Sequence, residues 1–132
     1  TVKGHIHGKD GIYAASLLVE MMAVSGKKLS EIAEDIRKEY GEIHMEERAY
    51  RFTAEEKERI HKTLMMDQAL PEIPFEIDHV SYMDGCKVYL KNGGWVSARF
   101  SGTEPLLRIF CEMQTEHEAV LLCEVFEKFL GL

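Results

Sequence analysis

The stretch "WVSARFSGTEPLLRIF", Trp95 to Phe110, holds the residues best suited to chemistry. Two apolar runs are joined by Ser-Gly-Thr-Glu-Pro, with Arg99 just before the joint and Arg108 just after it. Ser101 and Thr103 bring hydroxyls that can donate to an anion. Gly102 is free to adopt positive φ, which would let successive N–H groups converge into a nest. Guanidinium forks match phosphate oxygens better than ammonium groups do. Arg99, Ser101, Gly102, Thr103 and Arg108 together would suit a phosphate, and on the pattern alone the plainer reading, a hairpin turn with a solvated arginine, stays open beside it. Neither G-x-x-x-x-G-K-[ST] nor G-x-G-x-x-G occurs, and the loop feeds a strand rather than a helix N-terminus.

The elements on either side have to hold those groups. Alternation in "WVSARF" puts Val96, Ala98 and Phe100 on one face and Trp95, Ser97 and Arg99 on the other. "LLRIFCEM" likewise separates Leu107, Ile109, Cys111 and Met113 from Arg108. "CKVYLK" and a weaker run over residues 77–83 precede them, with Asp84-Gly85 and Asn92-Gly93-Gly94 as hairpin turns. "EIHMEERAYRF" alternates loosely and carries enough charge for an edge strand. Thr53 and Glu56 have capping-box spacing and open a helix to about Asp67. Thr115 and Glu118 repeat that spacing before a helix whose apolar stripe is Ala119, Leu122, Cys123, Phe126 and Leu130.

From Gly41 onward the order is strand, helix, four antiparallel strands, helix, an α+β sandwich with its helices on one face. Residues 1–40 read differently. Asp10 caps a helix with Ile12, Ala15, Val19 and Met22 as its stripe, and Leu29, Ile32, Ala33, Ile36 and Tyr40 mark a second. This helical hairpin is too small to core itself. The opening "TVKGHIHGKDG" lacks an initiator Met and reads as a loop entering a helix, so a piece of a longer protein is expected.

The 132 residues are 45% hydrophobic and 30% charged, enough for a real core and an ordinary surface. A formal net charge of -7 and the lack of a basic, aromatic-studded strand face argue against a nucleic-acid partner. No apolar run is long enough for a bilayer, so no membrane partner is expected. Three cysteines without Cys-x-x-Cys spacing point to a reducing, cytoplasmic setting and no disulfide framework. His5, His7 and Asp10 make a weak metal signal, and no metal is expected in this chain.

"RFSGTEPLLRIFCE" closely resembles the C-terminal signature of the alpha-D-phosphohexomutases, Arg-x-Ser-Gly/Asn-Thr-Glu-Pro-x-x-Arg, at every fixed position. "KGHIHGKDGIYAASLLVEMM" and "KKLSEIAEDI" resemble the end of that family's third domain. The resemblance implies that residues 1–40 are the last helices of that α/β domain. Residues 41–132 would be the fourth, phosphate-binding domain, of TBP-like fold. It implies that Arg99, Ser101, Gly102 and Thr103 hold the phosphate of a phosphosugar. Glu104 would support the loop, and Arg108 would contact phosphate or pair with an acid. Lys3 and His5 would lie near the substrate. It further implies an isomerase that moves phosphate between the 1 and 6 positions of a hexose, using a phosphoserine and Mg2+ from parts of the protein outside this chain. Those missing N-terminal domains would be partners of this one. Glucose, mannose and glucosamine phosphates all stay open as substrates, because the specificity loop is missing, with Gly102 and the Lys-Gly-His-Ile segment inclining towards glucose or mannose. No Thr-x-Ser-His-x-Pro or Asp-x-Asp-x-Asp loop occurs, and the family's Gly-Glu-x-Ser-Gly sugar loop would fall just before Thr1, so the chain alone is expected to be inactive. The reading from another class is a non-catalytic α+β protein-interaction module.

Overall fold

The computed structural model describes residues 2–132. They divide into two compact units, one up to Glu42 and one from Ile43 to Leu132.

The first unit holds α1 (Gly11–Ser25) and α2 (Leu29–Tyr40). Asp10 caps α1 by accepting the Tyr13 N–H at 2.9 Å, and Gly26 ends it in the left-handed conformation. The Glu31 carboxylate accepts the Lys28 N–H at 2.7 Å and secures the start of α2. No residue of either helix is buried. The expected α1 stripe is covered only at Met22: Ile12 is 85% and Val19 65% exposed, while Tyr13, Leu17 and Met22 are half-buried. The helix "GIYAASLLVEMMAVS" is apolar almost all round, so periodicity singles out no unique face.

The second unit is α+β. Its five strands, β1 (His44–Arg51), β2 (Ile77–Ser81), β3 (Cys86–Leu90), β4 (Trp95–Phe100) and β5 (Leu106–Met113), form one antiparallel sheet in the order β1-β5-β4-β3-β2. The charged first strand takes an edge, as its composition requires. The inward residues of β3, β4 and β5 alternate as expected, with Val88, Val96, Ile109 and Cys111 fully buried. They meet Ile60 and Leu64 from the helix after β1, and Leu122, Cys123, Phe126 and Leu130 from α4 (Glu116–Leu130). Both helices thus cover one face and leave the other open. At the edge, Arg48 and Tyr50 of β1 both donate to the Glu127 carboxylate of α4. The three cysteines are free and buried.

One local expectation is refined and another corrected. The helix after β1, α3 (Ala54–His61), keeps its reciprocal Thr53–Glu56 cap, but its continuation over Lys62–Met66 widens. There the Asp67 N–H bonds the Lys62 carbonyl, five residues back, at 2.8 Å. At Thr115 only half of the capping box forms. The Glu118 N–H bonds the Thr115 hydroxyl at 3.2 Å, but the Glu118 carboxylate accepts from that hydroxyl instead of from the backbone.

Among the described residues no helix is long and apolar enough to cross a membrane, and no three potential metal ligands converge.

Candidate functional site: the loop between β4 and β5

The β4–β5 loop is tied off by two backbone bonds. The Ser101 N–H donates to the Leu106 carbonyl at 2.7 Å, and the Leu106 N–H to the Glu104 carbonyl at 2.8 Å. Gly102, Thr103, Glu104 and Pro105 protrude into solvent, while Ser101 is half-buried. The expected nest does not form. Gly102 lies outside the left-handed region, and a Cβ built on it meets nothing within 4 Å. The Ser101 amide is committed to the ladder, and the Thr103 N–H leans on the Ser101 hydroxyl at 3.5 Å. The amide of Gly102 and the hydroxyls of Ser101 and Thr103 remain the natural donors to a bound anion.

Both arginines stand on the open face of the sheet. Arg99 and Arg108 are directly opposed in the β4–β5 ladder, so their side chains leave the same side. Each has carboxylate company. Nη1 of Arg99 donates to Asp84 at 2.6 Å. Arg108 donates from Nη1 to Glu47 at 3.2 Å and from Nη2 to Glu104 at 3.4 Å, so that Glu104 is tied back to β5. Arg99, Ser101, Gly102, Thr103, Glu104 and Arg108 thus gather at one end of the sheet.

Lys3 and His5 belong to the N-terminal unit. Lys3 is exposed. The His5 ring stacks on Tyr13, with centroids 3.8 Å apart, and its Nε2 sits 3.0 Å from the Asp10 carboxylate. The Tyr13 N–H first, and His5 second, hold the Asp10 carboxyl below its ordinary range.

Sequence reasoning missed Asp84 and Glu47. Asp84 was legible in principle. Counting back from the Asn92-Gly93-Gly94 turn, through Tyr89 opposite Trp95 and Cys86 opposite Ala98, sets the Asp84-Gly85 turn beside Arg99. The open face is also richer than expected. A groove of about 440 Å3 runs from Arg99 past Ser97 to Trp95 and Tyr89, where the Lys87 ammonium lies 3.6 Å from the Trp95 ring centroid. The strand face does combine aromatic and basic residues, which corrects that part of the case against nucleic acid. The overall charge of -7 still stands against it.

Comparison with known proteins matches residues 54–128 to the family described as phosphoglucomutase/phosphomannomutase, C-terminal domain. Residues 1–40 match the alpha/beta/alpha domain III of the same family. The chain is 33% identical over 126 residues to a phosphoglucomutase/phosphomannomutase of Thermococcus kodakarensis, covering 93% of this chain and 25% of that protein. It is 32% identical over 113 residues to a probable phosphoglucosamine mutase of Methanothermobacter thermautotrophicus, covering 83% and 23%. The crystal structure of a putative phosphomannomutase from Thermus thermophilus shares the fold at a TM-score of 0.65 and 22% identity, covering 97% of this chain and 24% of that one. The chain spans about a quarter of the length of these relatives. On the family match and the signature carried at its β4–β5 loop, the chain belongs to the phosphoglucomutase/phosphomannomutase family.

Proposed function

We propose that the chain is the C-terminal part of a phosphosugar mutase that interconverts hexose 1-phosphate and hexose 6-phosphate, and that its share of the work is to hold the substrate phosphate. In this reading residues 1–40 are the closing helices of domain III and residues 41–132 form the fourth domain. The observation that carries it is Arg99 at the end of β4, its fork engaged on one nitrogen only, next to a protruding loop with two hydroxyls and a free glycine amide. Arg99, Ser101, Gly102 and Thr103 bind the phosphate. Glu104 and Arg108 brace the loop through their ion pair. Lys3 and His5 lie near the sugar.

Such a loop serves transfer by positioning and charge neutralisation. In the whole enzyme a phosphoserine and Mg2+ from other domains supply the transfer itself, in the cytoplasm. The chain alone carries neither loop and has no turnover of its own.

The test is a titration with glucose 6-phosphate, mannose 6-phosphate and glucosamine 6-phosphate, each against its unphosphorylated sugar, alongside a mutase assay with Mg2+. Binding is expected for the phosphorylated sugars alone, with no turnover. Equal binding of glucose and glucose 6-phosphate contradicts the phosphate anchor, and turnover that persists through purification contradicts the division of labour.

A further inference from the structure

We propose that Asp84 is a positioning residue of the phosphate site, holding the Arg99 guanidinium by one nitrogen so that the rest of the fork is pre-set for an anion. This rests on the reading of Arg99 as a phosphate ligand.

The backbone shows how the pair is made. β3 and β4 pair with Cys86 opposite Ala98, so the β2–β3 turn arrives at the level of Arg99. Gly85 occupies that turn with φ +84, in the left-handed region that favours glycine. A Cβ there would lie 2.5 Å from the Ala98 carbonyl oxygen and 3.0 Å from the Arg99 Cα. The turn is therefore seated directly on the main chain of Arg99, and no other residue type fits. Asp84, the preceding residue, is placed against Arg99 by backbone contact. Their ion pair, 2.6 Å from Nη1 to Oδ2, follows from that placement.

The chemistry of the pair favours orientation. Asp84 engages Nη1, and among the described residues Arg99 donates to no other protein acceptor. Nε and the second Nη remain for a phosphate. An arginine side chain has many rotamers, and ordering it during binding subtracts from affinity. Asp84 imposes part of that order in advance. Its charge also repels an incoming phosphate, but Asp84 is 75% exposed and the repulsion is screened by solvent and salt. The same exposure weakens the ion pair, so the proposal is that the order imposed on the fork by the 2.6 Å contact outweighs the repulsion.

Two variants separate these effects. Asp84→Asn keeps an oxygen acceptor and removes the charge, whereas Asp84→Ala removes both. Inorganic phosphate is titrated into the wild-type chain, both variants and Arg99→Ala, with thermal unfolding confirming that each is folded. Positioning predicts that Asp84→Ala binds roughly 3–10-fold more weakly, while Asp84→Asn stays within about twofold of wild type or binds more tightly. If Asp84→Ala binds as tightly as wild type or more tightly, Asp84 is a bystander or a competitor and the proposal is overturned. Arg99→Ala tells this failure from that of the underlying reading. If it binds phosphate like the wild type, the phosphate site itself is misassigned and the Asp84 proposal falls with it. If it loses binding while Asp84→Ala does not, only the positioning role is overturned.

Discussion

Arg99 and Arg108 face each other across the β4–β5 ladder, two like charges at adjacent positions on one side of a sheet. Such a pair is unfavourable unless acids or an anion lie close by. Asp84 attends Arg99, and Glu47 and Glu104 attend Arg108, so the two arginines are not equivalent. One is held at a single nitrogen, by Asp84; the other is held at two, by Glu104 of the loop and by Glu47 of β1.

That asymmetry sets the outcome of substituting each. Arg99→Ala should abolish most phosphate binding and leave stability nearly unchanged. Arg99→Lys should bind between Arg99→Ala and wild type, because it keeps charge and loses the fork. Arg108→Ala should cost under about 1 kcal/mol of stability, as partly exposed ion pairs do, and should weaken phosphate binding less than Arg99→Ala. Chemical denaturation and phosphate titration of the three variants check this. A larger affinity loss for Arg108→Ala would make Arg108 the main ligand.

The glycines at 85 and 102 make a second contrast. Gly85→Ala introduces a Cβ against the backbone of β4 at positive φ and should destabilise the C-terminal unit by about 2 kcal/mol or more. Gly102→Ala meets open space at an ordinary φ and should stay within about 0.5 kcal/mol of wild type. Any harm from Gly102→Val should appear in phosphate affinity, where a side chain crowds the anion, and not in unfolding midpoints. Equal destabilisation by Gly85→Ala and Gly102→Ala would contradict the backbone conformations described here.

Much of this architecture is legible in the sequence because it depends on local rules. Alternation assigned the inward faces of β3, β4 and β5, and Thr53–Glu56 marked a helix start through a bond made within one turn. The residue types of the proposed phosphate loop could be picked out because they lie side by side in the chain. What stayed hidden depends on register or on tertiary packing. Asp84 meets Arg99 only once β3 and β4 are paired in register, 15 positions apart in the chain. Gly102 has the freedom to adopt positive φ, but a loop tied off at Ser101–Leu106 and Leu106–Glu104 does not demand it. The groove of Lys87, Tyr89 and Trp95 is assembled from two strands that each show only part of it.

The two units should differ in protection. The α1 and α2 backbones are hydrogen-bonded, but no side chain of either helix is buried, so little opposes local opening. Hydrogen exchange of a strictly monomeric sample should find the amides of residues 11–40 exchanging far faster than those of β4 and β5. Equal protection would mean that these helices are covered.

Acid should release the start of α1 late. The Asp10 carboxyl is held below its ordinary range by the Tyr13 amide and His5, so its cap is complete above the usual aspartate value of about 3.9. Its stabilisation is lost as pH falls below that value through the lowered folded pKa. The Tyr13 amide shift should therefore titrate with a midpoint below about 3.9, and in Asp10→Asn the cap should persist without the titration step. A midpoint at or above the ordinary value would contradict the hydrogen-bonded cap.

The central claim is that the β4–β5 loop holds phosphate, and the direct measurement is an NMR titration of the chain with inorganic phosphate. One solvent-exposed anion gains only a few bonds, so a Kd on the order of millimolar, weakening with added salt, is expected. The amides of Gly102 and Thr103 should shift most. That of Ser101, already committed to the Leu106 carbonyl, should shift less, and the response should vanish in Arg99→Ala. If phosphate moves other amides while those of residues 101–103 stay still, the loop is not the phosphate site.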